Sequence, residues 1–222
     1  MSPILPPIES STWLPSLIRE LAAAAPIFIA AAAVSGAIIA VLSYRKWHSE
    51  TTGKRKIELA EEVLARAYRA RQAIASARSP LGWGNEGATR KRSEDETPSE
   101  SQAKDAYYRT VERLLAENEV FTDLRSKKFL AMAYFPSDVA MPFDDLQKLR
   151  SSIIMSAQHL IQWYGKPQAQ MPAMQLEFMR WEADIGWGAA VVEDDEKERE
   201  LDRIIAEFER IFGAWLHRPA NA

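Results

Sequence analysis

The side chains of this chain best suited to chemistry are carboxylates. Glu61-Glu62 and Asp144-Asp145 are adjacent pairs, and Glu177, Glu182 and Asp184 fall close together. On helices, paired carboxylates bind divalent metal or exchange protons in hydrolysis. The di-metal sites of helical bundles combine such acids with Glu-x-x-His motifs, and none occurs here. The three histidines, His48, His159 and His217, are too scattered to form a metal constellation. His159 reads as a packing residue beside an apolar stripe. Without cysteine, the chain has no disulfide framework, no thiol nucleophile and no cysteine-ligated zinc. No catalytic, cofactor-binding or metal-ligating residue is assigned, and no cofactor is expected.

The other concentration of chemistry is the stretch 79–103, SPLGWGNEGATRKRSEDETPSESQA. Pro80, Gly82, Gly84, Gly87 and Pro98 interrupt helical patterning, and long loops are either functional or disordered. Trp83, Asn85, Glu86, Thr89 and Arg90 offer a ring, an amide, a carboxylate, a hydroxyl and a cation. That set suits docking a partner or cradling an anion. The spacing is not that of a phosphate-binding loop, and no strand precedes it. The alternative is a structural turn followed by a disordered polar tail.

These residues need elements to carry them. The run Leu21–Tyr44, LAAAAPIFIAAAAVSGAIIAVLSY, holds no charge, although 27% of the chain is charged. As a helix it reaches ~36 Å, enough to cross a hydrocarbon core of ~30 Å. Arg45, Lys46, Lys54, Arg55 and Lys56 follow the run, and only Arg19 and the amino terminus precede it. Positive residues stay cytoplasmic, so the C-terminal part is expected inside and residues 1–20 outside. The same five cations are candidates for contact with anionic lipid. Ala32, Gly36 and Ala40 recur every four residues and would let a second membrane helix approach closely, giving a homodimer.

Beyond the basic juncture at 45–53, helical spacing recurs through residues 54–218. Ile57, Ala60, Val63, Leu64, Ala67, Tyr68, Ile74 and Ala75 predict a helix over 54–78, with Arg69, Arg71 and Arg78 on its solvated face. A second helix is predicted over 104–134 and a third over 142–164, closed by Gly165. A shorter one is predicted over 174–185. The last, 195–217, carries Leu201, Ile204, Ile205, Phe208, Ile211, Phe212, Trp215 and Leu216 as one stripe, which would also suit an intermolecular coiled coil. Strand signals are nearly absent. The expected fold is all-α, with one N-terminal transmembrane helix followed by a four-helix cytoplasmic bundle. Net charge is −3, with acids and bases interspersed, which argues against a nucleic-acid partner.

The runs KRKIELAEEVLARAYRARQAIASARSP, GNEGATR, FLAMAYF, PFDDLQKLR and MQLEFMRWEADIGWG resemble a group of uncharacterised bacterial proteins that pair a single membrane helix with a cytoplasmic helical domain. The resemblance implies a bacterial inner-membrane location and carries no activity and no site residues. Two functions fit: a membrane-tethered interaction or scaffold protein with a cytoplasmic protein partner, or a small carboxylate- or metal-dependent enzyme or signalling subunit.

Overall fold

In the computed structural model the described residues are 13–135, 137–187 and 195–217. The first twelve residues of the 1–20 segment lie outside them. The described residues are helical, with no strand among them. The chain divides into two compact units, one up to Lys54 and one from Arg55 onward.

The first unit is built on the N-terminal part of α1 (Trp13–Ala77), which holds Pro26 within it. From Ile29 to Glu50 every side chain is exposed, including Ile29, Val34, Ile38, Ile39, Val41 and Leu42. Each would gain ~1.5–3 kcal/mol on leaving water. Among the described residues this is the one helix, near the N-terminus, long and apolar enough to span a membrane. Ala32, Gly36 and Ala40 share one exposed face, and nothing lies within 4 Å of where a Gly36 Cβ would be. At the basic end Lys46 pairs with Glu50 one turn on, at 4.0 Å.

In the second unit, the rest of α1 buries Ala60, Val63, Ala67, Ala70, Ile74 and Ala77. These positions alternate three and four apart and make a seam of small side chains against which neighbouring helices sit closely. The seam is rotated from the predicted stripe. Ile57, Tyr68 and Ala75 are exposed, and alanines replace them in the core.

The helix predicted over 104–134 is two helices, α2 (Pro98–Ala116) and α3 (Asn118–Tyr134). α2 begins early because Thr97-Pro98-Ser99-Glu100 is a capping box. The Thr97 hydroxyl accepts the Glu100 N–H, and the Glu100 carboxylate accepts the Thr97 N–H. The break at Glu117 is held from another helix. Buried Arg150 donates to the Leu114 carbonyl (3.2 Å) and to Asn118 Oδ1 (3.0 Å), satisfying the end of α2 and fixing the start of α3. Its guanidinium lies 4.4 Å from the Phe121 ring centroid, and burial lowers its pKa.

α4 (Met141–Trp163) is the central helix, packing against α2, α3, α5 and α6. Gly165, at φ 79°, supplies the left-handed residue after its end. α5 (Pro172–Asp184) is followed by α6 (Glu196–Phe208), whose N-cap Asp195 accepts the Lys197 and Glu198 N–H groups. α6 continues through a wide π turn, Glu209–Gly213, into a last turn, Ala214–Leu216. Phe208 and Phe212 are both fully buried. Phe143 meets Phe208 edge-on at 4.9 Å, and Phe135 meets Phe212 at 5.2 Å.

Arg78 is not on a solvated face. It is 5% exposed and donates to the Ala183 and Asp184 carbonyls at the end of α5 and to both Asp195 oxygens (2.8 and 2.9 Å). One guanidinium thus closes α5 and anchors the cap of α6. Burial raises the Asp195 pKa, but the Arg78 and backbone hydrogen bonds outweigh it and leave the carboxyl below its usual range. Arg71 likewise pairs with Asp202 at 2.6 Å and Glu198 at 3.4 Å.

Candidate functional site

The loop between α1 and α2 is pinned to α2 at three points. Arg113 uses its whole guanidinium: it donates to the carbonyls of Ser76 (2.9 Å), Ser79 (3.0 Å) and Leu81 (2.7 Å) and to the Glu86 carboxylate. It therefore completes the end of α1 and holds the loop at once. Its hydrogen bond to Glu86 keeps that carboxyl below the usual range. One residue earlier, Glu112 accepts the Gly87 N–H and the Thr89 hydroxyl, both at 2.5 Å. Gly87 is at φ 85°, and a Cβ there would fall 2.0 Å from the Asp105 carbonyl oxygen, so this crossing requires glycine.

The third pin is a buried ion cluster. Arg90 grips both Glu96 oxygens (2.9 and 2.5 Å) and donates to Asp105 at 2.9 Å. Ser101 and Lys104 add hydrogen bonds to Glu96 at 3.0 and 3.3 Å. The hydrogen bonds from Arg90 foremost lower the Glu96 carboxyl to about 2. The polar half of the loop is thus tied down, in contrast to the predicted disordered tail.

The loop sorts the predicted residues into two groups. Glu86, Thr89 and Arg90 are spent on the fold, so Arg90 has no donor fork to offer an outside anion. Trp83 and Asn85 face outward, and Trp83 is 82% exposed. Leu81, which the sequence reading passed over, is 81% exposed beside it. Trp83 and Asn85 border a cleft of about 790 Å³ shared with Arg92, Gln102 and Arg109. Arg109 donates to the Ala106 carbonyl of its own helix, and its guanidinium lies 5.8 Å from the Trp187 ring centroid. Glu112, Arg113 and Asp105, the residues that build the loop, looked like ordinary charges on a helix face. The capping box at Thr97 and the glycine at 87 were the readable signals of an ordered crossing.

The other candidates disperse. Lys56 lies 4.6 Å over the Trp215 ring, Arg55 pairs with Glu58 at 3.4 Å, and Arg45 and Lys54 are exposed. Each candidate acid except exposed Glu61 has a partner within the fold. Glu62 pairs with Arg66 and Lys127, Asp144 with Lys128, Asp145 with Lys148 and Glu177 with Arg180. Tyr107 donates to Glu182 at 2.8 Å, and burial together with that carboxylate raises its pKa. Ser156 donates to Asp184 at 2.6 Å. His159 packs on Trp181 at 4.9 Å between ring centroids. Among the described residues no group of three or more His, Asp or Glu is set to hold a metal ion.

Among the described residues, fold and loop together define an all-helical architecture with one helix long and apolar enough to cross a membrane. Compared with protein-family models, curated proteins and solved structures, the chain matches none of them.

Proposed function

We propose that this is a single-pass bacterial inner-membrane protein that holds a helical bundle at the cytoplasmic face as an interaction or scaffold module. The uncharged part of α1 is the anchor, with the N-terminus outside. Arg45, Lys46, Lys54, Arg55 and Lys56 lie at the cytoplasmic headgroups, and Ala32, Gly36 and Ala40 offer a face for pairing two anchors. A cytoplasmic protein partner docks at the α1–α2 loop.

One observation carries the docking assignment. Leu81 and Trp83 are almost fully exposed on a loop whose neighbours are fixed by Arg113, Glu112 and Arg90. Holding two large apolar side chains in water on a rigid support lowers the ordering cost of a partner that covers them. The test places a photo-crosslinking residue at Trp83 in the full chain in native membranes, with Met155 on α4 as an exposed control. An adduct of one reproducible mass at position 83, absent at 155 and lost with Leu81→Ala, is expected. Identical adduct patterns at both positions, or none at 83, overturn the assignment.

A further inference from the structure

The far end of α3 is apolar all round. Residues 129–135 read FLAMAYF, without a charge or a strongly polar group. Ala131 and Phe135 are buried there, but Phe129 is 65% exposed, and Leu130, Met132 and Tyr134 are exposed with it. Met141, at the start of α4, adds a fifth uncovered apolar side chain.

This end can be located along α1. Arg66 pairs with Asp123 and Glu62 with Lys127, so four residues forward on α3 match four residues back on α1. The two helices run antiparallel. Continued by one more turn, that register sets Ala131 level with Glu58. The aromatic contacts agree: Phe135 meets Trp215 at 5.5 Å, and the same Trp215 ring lies under Lys56 Nζ at 4.6 Å. The uncovered FLAMAYF surface is therefore at the end of the second unit where the chain arrives from the apolar helix. Only ten residues separate Arg55 from Tyr44, the last of the uncharged run.

We propose that this end, Phe129, Leu130, Met132, Tyr134 and Met141, is a membrane-contact surface that lies in the headgroup region of the same bilayer. Aromatic and aliphatic side chains at the same end as Arg55 and Lys56 have the composition of an interfacial contact: apolar groups enter the boundary and cations meet anionic headgroups. The short tether gives lipid an advantage over any soluble occupant, because the surface never leaves the vicinity of the bilayer. The proposal rests on the anchor reading.

The absence of cysteine allows a direct test. Single variants Phe129→Cys, Met132→Cys and Met141→Cys are labelled with an environment-sensitive fluorophore. The full chain is reconstituted in phosphatidylethanolamine–phosphatidylglycerol vesicles with or without nitroxide-bearing lipid. Ile38→Cys reports the anchor, and Met155→Cys is the exposed control. Quenching at 129, 132 and 141 at least threefold stronger than at 155 is expected, strongest with nitroxides near the headgroup. Quenching at 38 with none above control at the three positions overturns the lipid contact and leaves the anchor standing. No quenching at 38 overturns the anchor reading itself. Unquenched labels at 129 that transfer energy between copies, fading on dilution into excess lipid, assign the surface to a second copy instead and overturn the proposal.

Discussion

Replacing Glu96 by glutamine isolates the cluster that ties the α1–α2 loop to its scaffold. The Glu96 side chain is 8% exposed, with Arg90 on both oxygens, and its carboxyl is lowered from 4.5 to about 2. A shift of that size corresponds to ~3 kcal/mol, and solvent on the cleft side reduces it to ~1.5 kcal/mol. Removing one partner of a buried pair also strands the other, at ~3–5 kcal/mol, but Asp105 still holds Arg90. We expect Glu96→Gln to cost ~2–3 kcal/mol at neutral pH, or ~5–10 °C in Tm for a domain of this size. Because the folded pKa is depressed, the contribution is complete above the unfolded value of 4.5 and disappears as pH falls towards 2. The parent should therefore lose stability faster than the variant across that window. Denaturant unfolding of the detergent-solubilised chain, followed by tryptophan fluorescence at several pH values, measures both effects. A variant within ~0.5 kcal/mol of the parent at pH 7, falling in parallel with it from pH 4.5 to 2, would refute the argument.

Two further substitutions probe the packing. Gly87→Ala meets both a left-handed backbone and the Asp105 carbonyl, so it should destabilise by ~2 kcal/mol or more and open residues 81–97 to protease; an unchanged digestion pattern contradicts the crossing described here. Ala67→Leu adds volume to a seam with no exposed surface at that position, and should lower stability by ~1–3 kcal/mol in the same unfolding assay, with no effect meaning the seam is loose.

The sequence spoke clearest where one face of a helix is strongly apolar. Leu201, Ile204, Ile205, Phe208 and Phe212 predicted α6 and its core role, and Gly165 marked the end of α4. It was mute where small residues do the packing. Alanine adds little to an amphipathic pattern, so Ala70, Ala73 and Ala77 were overlooked and Tyr68 was assigned to the core in their place. It was also mute where a distant side chain decides a local event. Nothing in residues 104–134 announces the break at Glu117, because the group that satisfies it, Arg150, arrives from another helix. The α1–α2 loop was half legible. Its glycines and Trp83 stood out, but an arginine aimed at carbonyls, such as Arg78 or Arg113, has the same letter as one waving in solvent.

The wide turn at Glu209–Gly213 bears on which lengths of chain are tolerated near the C-terminus. It takes up one residue more than a regular turn would, and thereby sets the heading of everything after it. Straightening it into a regular helix without removing a residue would swing Trp215 by about a quarter-turn. Its ring would leave both Phe135 and Lys56, although no core residue had been altered. Removing one residue along with that straightening would keep the ring in place, so turn geometry and residue count must change together in that segment.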